Sequence, residues 1–439
     1  MSFPRYSTYK DSGVEWLGQV PEHWEVKRLG TVFRQVDEAG EDHLPILCVS
    51  IHDGVSDKEL GEEEMDRKVT RSDDRSKYKK VEPGELVYNM MRAWQGGFGA
   101  VSVHGMVSPA YVVARPKSGL LTSIIEQQLR TPNAVEEMRR YSQGVTDFRL
   151  RLYWEEFKCI SVVIPPTAEQ REIAEFLEGE TRKINGLVSE QRRLMELLRE
   201  KRQAVISHAV TRGLNPAAPL KPSGIEWLGD VPTHWEVKRI KFVTAGVKAG
   251  PFGSALTKDV YVSAGFRVYG QEQVSPNDFT LGDYFITPEK YEELSQYSVS
   301  PGDILISCVG TFGKIAIVPG EIVPGIINPR LIRLRCSKAI KAEYLVEVMR
   351  SNVTFEQLSS FTRGGTMDVI NIGTLSGIFL ALPPMPEQEE LLTFMSQESS
   401  KFDALKAEAQ RAIDLLLERR TALISAAVTG QIDVCAMAN

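Results

Sequence analysis

A chain that carries the same 17-residue opening twice must build two related units, and that repeat constrains this fold more than any other feature. Ser12-Gly-Val-Glu-Trp-Leu-Gly-Gln-Val-Pro-Glu-His-Trp-Glu-Val-Lys-Arg28 recurs as Ser223-Gly-Ile-Glu-Trp-Leu-Gly-Asp-Val-Pro-Thr-His-Trp-Glu-Val-Lys-Arg239, identical at 14 of 17 positions with an offset of 211. A second match, with an offset of 218, sets Pro165-Pro166 and Glu169-Gln170 against Pro383-Pro384 and Glu387-Gln388. It runs without a gap to Val210-Thr211 and Val428-Thr429. Between these anchors only weak echoes survive, such as Pro83-Gly-Glu-Leu86 with Pro301-Gly-Asp-Ile304. The chain is therefore two copies of one unit with similar ends and divergent middles.

Each copy divides again. The first part of each is rich in short strand-like runs (Pro45 to Ile51, Glu85 to Met90, Asp303 to Cys308) that Gly and Pro interrupt at turn-like intervals. The second part steps by four and three: Ile173, Leu177, Glu180, Ile184, Leu187, Gln191, Leu194, Leu198, Lys201, Val205 in one copy. Leu391, Met395, Glu398, Phe402, Leu405, Ala409, Ala412, Leu416, Arg419 and Leu423 keep the same register in the other. Sustained spacing of this kind describes a coiled-coil seam, and each Pro-Pro pair stops the preceding strand and sets off the helix. The expected fold is α+β: two mixed α/β domains separated by two long antiparallel coiled-coil helices, with an internal pseudo-twofold repeat. The expected boundaries are 1–163, 164–214, 215–381 and 382–439. In an antiparallel pair Glu180 would approach Arg419 and Glu398 would approach Lys201; the other reading has all four pointing outward. Phe176, Val188, Met195 and Ile206 are apolar positions outside the seam and are expected to bury against partner chains.

Composition narrows the function classes. The chain is 42% apolar and 25% charged, which is ordinary for a globular protein. No apolar run is long enough to span a membrane, and Met1 to Tyr6 lacks the layout of a signal peptide. Its five cysteines are scattered, without a Cys-x-x-Cys pair, so a metal site is not expected and the reducing cytoplasm is. There is no phosphate-binding Gly-x-x-x-x-Gly-Lys-Ser/Thr loop, no Gly-x-Ser-x-Gly elbow and no His-Glu-x-x-His helix. Asn328-Pro329-Arg330 only echoes the Asn-Pro-Pro-aromatic tetrapeptide of amino-methyltransferases. His23 and His234 stand at equivalent places beside Trp24 and Trp235, where repetition fits a structural cap better than a catalytic group. The net charge of −6 does not by itself point to nucleic acid, although a surface can be locally basic.

The duplicated unit, the Trp-Leu-Gly-x-Val-Pro-x-His-Trp opening and the Pro-Pro-x-x-Glu-Gln helix start together resemble the specificity subunit of type I restriction–modification enzymes, over essentially the whole chain. The resemblance implies two target recognition domains, each reading one half of a bipartite site on double-stranded DNA. It implies that the helices form an antiparallel spacer and dock two modification (methyltransferase) subunits, with restriction subunits in the full complex. It also implies no catalysis and no cofactor in this chain; S-adenosylmethionine, ATP and Mg2+ are used by the partner subunits. Two readers on a stiff spacer suit half-sites about one DNA turn apart, roughly 34–36 Å. The rival readings are a methyltransferase fused to its own recognition domains and a non-DNA coiled-coil scaffold that displays two binding domains.

Candidate DNA contacts follow from residue type. In the first domain Arg67, Lys68, Arg71, Arg75, Lys77, Lys79 and Lys80 give seven basic residues against two acids over 67–80, suited to phosphate, or to a solvated loop balanced by Glu59 to Glu64. Arg92 and Gln95 suit guanine and adenine edges and sit among glycines that permit close approach. In the second domain Lys248 to Ser254 and Thr311 to Lys314 are the equivalent candidates. Gly144, Thr146 and Arg149, with Arg363 and Thr366, match the Gly-x-Thr segment that the family shows near the DNA backbone.

Overall fold

The computed structural model describes residues 3–51, 54–59, 75–117, 119–144, 150–308, 313–361 and 370–437. They fold into two compact units, residues 1–191 with 411–439 and residues 192–410. This division cuts through both long helices, where the sequence boundaries had kept each helix whole. The helices are α1 (Thr167–Arg212) and α2 (Met385–Val428), and each unit holds part of both.

Within each unit the two helical segments run antiparallel. In the first, Arg420 donates to Asn185 at 2.9 Å, and Ile424 lines a hollow with Ala174, Leu177 and Thr181. In the second, Arg202 pairs with Asp403 at 3.0 Å, and Gly213 past the end of α1 lies beside Glu387 at the start of α2. The expected Glu180–Arg419 and Glu398–Lys201 pairs do not form. Glu180 instead bonds Lys183 and Glu398 bonds Lys401, each one turn along its own helix.

The buried stripe also differs from the 4–3 reading. Ile173, Leu177, Ile184, Val188 and Ile206 are buried, and Met195 is partly so, whereas Leu187 and Leu194 are 53% and 43% exposed. A straight α-helix drifts about 20° per heptad against a 3.5-residue repeat. From Ile184 onward, alternate contact positions therefore fall one residue later than the 4–3 reading places them. Val188 and Ile206, expected to face partner chains, are seam residues, and Phe176 packs edge-on against Phe3.

The similar ends of each copy fold together at the helix base. Glu25–Arg28 pairs antiparallel with Ser161–Ile164, and Glu236–Arg239 with Phe379–Leu382. The edge of each returning strand is closed by a buried glutamine. The Gln128 amide bonds both the N–H and the C=O of Val163, and Gln357 does the same to Phe379. Such buried peptide groups need partners, and the amide supplies both.

The divergent middle is inserted between these ends around a four-stranded antiparallel sheet. In the first unit its strands are β1 (Phe33–Val36), β2 (Leu86–Asn89), β3 (Phe98–Ala100) and β4 (Tyr111–Pro116), in the order β1-β4-β2-β3. In the second they are β5 (Thr244–Ala249), β6 (Ile304–Ser307), β7 (Ile315–Ile317) and β8 (Leu331–Cys336), in the order β5-β8-β6-β7. The order is the same although the sequences differ. The second unit adds a three-stranded sheet of Phe285–Ile286, Phe266–Tyr269 and Gly325–Ile327. The central strand Ile304–Ser307 is buried at every position, because packing covers both of its faces.

The phase of the seam has a direct consequence. Ile184→Ala, at a position only 4% exposed, is expected to cost about 2–4 kcal/mol. Leu187→Ala should stay within about 0.5 kcal/mol of the parent. Urea unfolding of the full chain, followed by helical circular dichroism, measures both.

Candidate nucleic-acid interface

The sheet register places three connections at one end of each domain. Tyr111 faces Asn89, and Val113 faces Val36, so the chain leaving β1, the β2–β3 hairpin and the turn before β4 share an end. In the second domain Leu331 faces Ser307 and Ile332 faces Ala249, which assembles the same three connections. The later segment joins at the same place in both: Leu152 donates to the carbonyl of Met90, and Ile370 to that of Cys308.

The first domain's hairpin is built to hold its shape. Asn89 donates to the carbonyl of Gly97, Arg92 to that of Asn89, and Gly97 to that of Arg92. A side chain at Gly97 would meet the Arg92 backbone at 2.9 Å, so the chain returns here only as glycine. Arg130 braces it from below, bonding the carbonyls of Ile51 and Phe98 and the Glu126 carboxylate. The Trp94 indole N–H donates to Met91, and Arg139 lies over its ring at 5.6 Å from the centroid. Gln95 is exposed at the tip and Arg92 is half-buried, near enough to Tyr111 to oppose by charge the rise that burial gives its hydroxyl.

The lysine-rich segment reads differently in three dimensions. Lys79–Val81 is a strand paired with Gly105–Val107. Lys79 is 3.5 Å from Asp37 and Lys80 is 2.6 Å from Glu41, which raises the Lys80 amine and lowers the Glu41 carboxyl. Arg75 donates to the carbonyls of Asp42 and Leu44. These three side chains tie the domain's own scaffold together, because carboxylates and carbonyls distant in sequence reach them before any phosphate does. Lys77 is exposed. Arg67, Lys68, Arg71, Thr146, Arg149, Thr311, Arg363 and Thr366 lie outside the described residues, while Gly144 is exposed at the edge of them.

In the second domain Gly250, within the first expected loop, and Cys308, ahead of the second, meet on the Asn328-Pro329-Arg330 turn, which in sequence is only an echo of the methyltransferase tetrapeptide. Gly250 donates to Leu331, and a side chain at Gly250 would lie 1.8 Å from the Asn328 carbonyl. Cys308 donates to the carbonyl of Arg330. Lys248 bonds Gln296 and lies over the Tyr297 ring. Ser254, Lys314 and Arg330 are exposed, and Phe252 is 87% exposed. The missed turn does have a sequence signal: Ile327-Asn-Pro-Arg-Leu331 stands where Val107-Ser-Pro-Ala-Tyr111 stands in the first copy.

His23 and His234 belong to neither loop cluster. Glu169, in the first turn of α1, accepts from His23 at 2.6 Å, from the Trp24 indole at 2.8 Å and from the Tyr6 hydroxyl at 3.2 Å. Glu387 in α2 accepts from His234 and Trp235, each at 2.8 Å. The cap reading of the two histidines agrees with this geometry. Burial pushes the thiols of Cys308, Cys336 (to about 11) and Cys435 (to about 12) upward, opposite to what a nucleophilic cysteine needs. Among the described residues no group of three His, Cys, Asp or Glu side chains could hold a metal ion, and no helix is long and apolar enough to cross a membrane.

A family model described as the type I restriction modification DNA specificity domain matches residues 233–414. The specificity subunit of the type I restriction enzyme MjaVIII of Methanocaldococcus jannaschii is 21% identical over 95% of this chain and 94% of its own length. Residues 233–414 thus match that family's DNA specificity domain, and the chain is similar to a type I specificity subunit along nearly its whole length. The EcoKI specificity subunit of Escherichia coli is 22% identical, over 63% of this chain and 58% of its own. The crystal structure of the HsdS subunit from Thermoanaerobacter tengcongensis superposes with a TM-score of 0.53 at 16% identity, over 94% of this chain and 98% of that one. A chain from a study of complex assembly and conformational transition of the type I system gives a TM-score of 0.66, also at 16% identity, over 93% and 98%. The matched domain is a DNA specificity domain and the relatives are specificity subunits, so recognition of DNA sequence, not catalysis, is the task these comparisons support.

The side-chain partners sort the basic candidates. In the complex with its partner subunits, Lys314→Ala should weaken DNA binding evenly across sequences and reduce the salt slope by about 1. Lys80→Ala, whose charge is already met by Glu41, should change neither. Fluorescence anisotropy titrations at several salt concentrations measure both.

Proposed function

We propose that each domain of this specificity subunit reads one half of a bipartite, asymmetric site on duplex DNA. The observation that carries this reading is the contrast within each repeat. The strand order, the glutamine bracket and the His-Trp-Glu base are kept, while the loops at the shared end of the sheet differ in length, charge and aromatic content. Equal scaffolds with unequal tips are what two readers of different base sequences need, since base edges specify and phosphates only position.

The kept parts suit identical partners. In the first unit the helical segments expose Leu187 and Leu415, and in the second Leu194, Leu197 and Leu405, each between 43% and 65% exposed. These leucines, in place of Phe176, Val188, Met195 and Ile206, are the apolar surface offered to the modification subunits, one copy to each unit. S-adenosylmethionine, ATP and Mg2+ would then act on the modification and restriction subunits, in the cytoplasm where the target DNA lies. The helices would set the separation of the two half-sites.

Replacing residues 35–160 with the corresponding middle of another specificity subunit should change one half of the methylated site and leave the other half and the spacing as they were. Genome-wide mapping of methylated adenines in a host that carries the system reads this out, and a change in both halves would refute independent readers. For docking, Leu187→Asp combined with Leu415→Asp should reduce the co-purified complex from two modification subunits per specificity chain to one. Light scattering of the assembly measures that ratio.

A further inference from the structure

We propose that Arg330 reads a guanine in the half-site recognised by the second domain. The proposal rests on the reading of the two domains as base readers, and it assigns one residue within that reading.

The turn that carries Arg330 is fixed on every side. Asn328 donates its N–H to the Tyr269 carbonyl at 2.8 Å, and its side-chain oxygen accepts from the Arg330 N–H at 2.9 Å. The Arg330 carbonyl accepts from Cys308 at 3.0 Å, and Leu331 donates to Asn328 at 3.2 Å. Gly250 lies so close to the Asn328 backbone carbonyl that it has no room for a side chain, and Gly270 lies against the Asn328 amide nitrogen. Pro329 restricts the backbone between them. The main chain of Arg330 is thus set before any ligand arrives, so little ordering is left to oppose binding.

Its guanidinium is in the opposite condition. It is exposed, and it has no hydrogen bond or ion pair among the described residues. Other arginines of the same domain are engaged internally: Arg335 with Asp303 at 2.7 Å, Arg267 with the carbonyls of Phe279, Thr280 and Leu281, Arg333 with Ser298, and Arg350 with the Ile315 carbonyl. Phe252 emerges two residues beyond Gly250, so a bare aromatic face leaves the same loop cluster.

The first domain shows which part of this turn is scaffold and which part is reader. Ser108 caps Ala110 as Asn328 caps Arg330, with its hydroxyl accepting from the Ala110 N–H at 3.4 Å and its carbonyl from Tyr111 at 2.9 Å. The cap and the proline are kept, while the tip changes from a methyl group to the longest cationic side chain. A phosphate contact would be useful in both domains, because every site has phosphates. A base contact differs between them. The planar fork of arginine matches the O6 and N7 acceptors of guanine, and lysine cannot reproduce that pair of bonds.

The test maps methylated sites made by the complete complex with wild-type chain, Arg330→Lys and Arg330→Ala, using the domain replacement above to assign half-sites. The wild-type map should contain a guanine in the second half-site. Both variants should lose discrimination at that position by about 5- to 150-fold while the first half-site stays unchanged. If Arg330→Lys keeps the full wild-type specificity, the side chain meets a phosphate and the assignment falls. It also falls if the second half-site has no guanine, or if both variants retain every position. If the wild-type complex yields no two-part site at all, the reading of two independent domains fails instead.

Discussion

In each unit one carboxylate joins two parts that are about 150 residues apart in sequence: the repeated opening and the start of the long helix. Glu169 stands in the first turn of its helix, where backbone N–H groups favour negative charge, and it receives His23, Trp24 and Tyr6. Glu387 does the same for His234 and Trp235. The next residue completes the joint. Gln170 accepts from Leu121 and donates to Pro165, and Gln388 accepts from Lys341 and donates to Pro383. Trp24 and Trp235 are fully buried, so each indole N–H needs an acceptor, and the helix start supplies it. The rest of the architecture hangs on this joint, because it holds the inserted domain to the base of its helix.

A joint made of side chains from both ends of the copy leaves the middle free to vary. The sheet keeps its order because buried strands such as Leu86–Asn89 and Ile304–Ser307 fill its centre, whatever the loops contain. The loops in turn differ by whole residues and by charge, yet leave from the same strand ends. Recognition and construction are therefore separated within each domain. Basic residues follow the same division: Arg115 with Glu38 and Glu85, and Arg335 with Asp303, brace the sheet, while Arg330 and Lys314 project from its end.

The helices obey a similar economy. Their inner faces are occupied by Ile184, Val188, Ile413 and Leu423, and their outer faces retain exposed leucines that a solitary helix pair would not require. Cross-helix register comes from Arg420 with Asn185 and from Arg202 with Asp403. Glu180 and Glu398, both partly buried, fall back on lysines of their own helices, as carboxylates with a basic residue three positions away commonly do.

The sequence by itself determined the duplication, the two helix starts, the α+β composition and the family resemblance, since each rests on a local pattern: identity at a fixed offset, proline pairs, or periodicity. It also marked connections at the shared end of each sheet, where Gly97 and Gly250 make close backbone approaches. Tertiary structure alone decided which lysines are spent within the scaffold, as Asp37 and Glu41 reach Lys79 and Lys80 across some forty residues of chain. It decided the phase of the helical seam, because a 3.6-residue helix does not keep a 3.5-residue pattern in step. It decided the importance of Asn328-Pro329-Arg330 too, which in sequence is an ordinary turn. Its value comes from long-range hydrogen bonds with Tyr269, Cys308 and Gly250 that fix the backbone, while the guanidinium has no acceptor among the described residues.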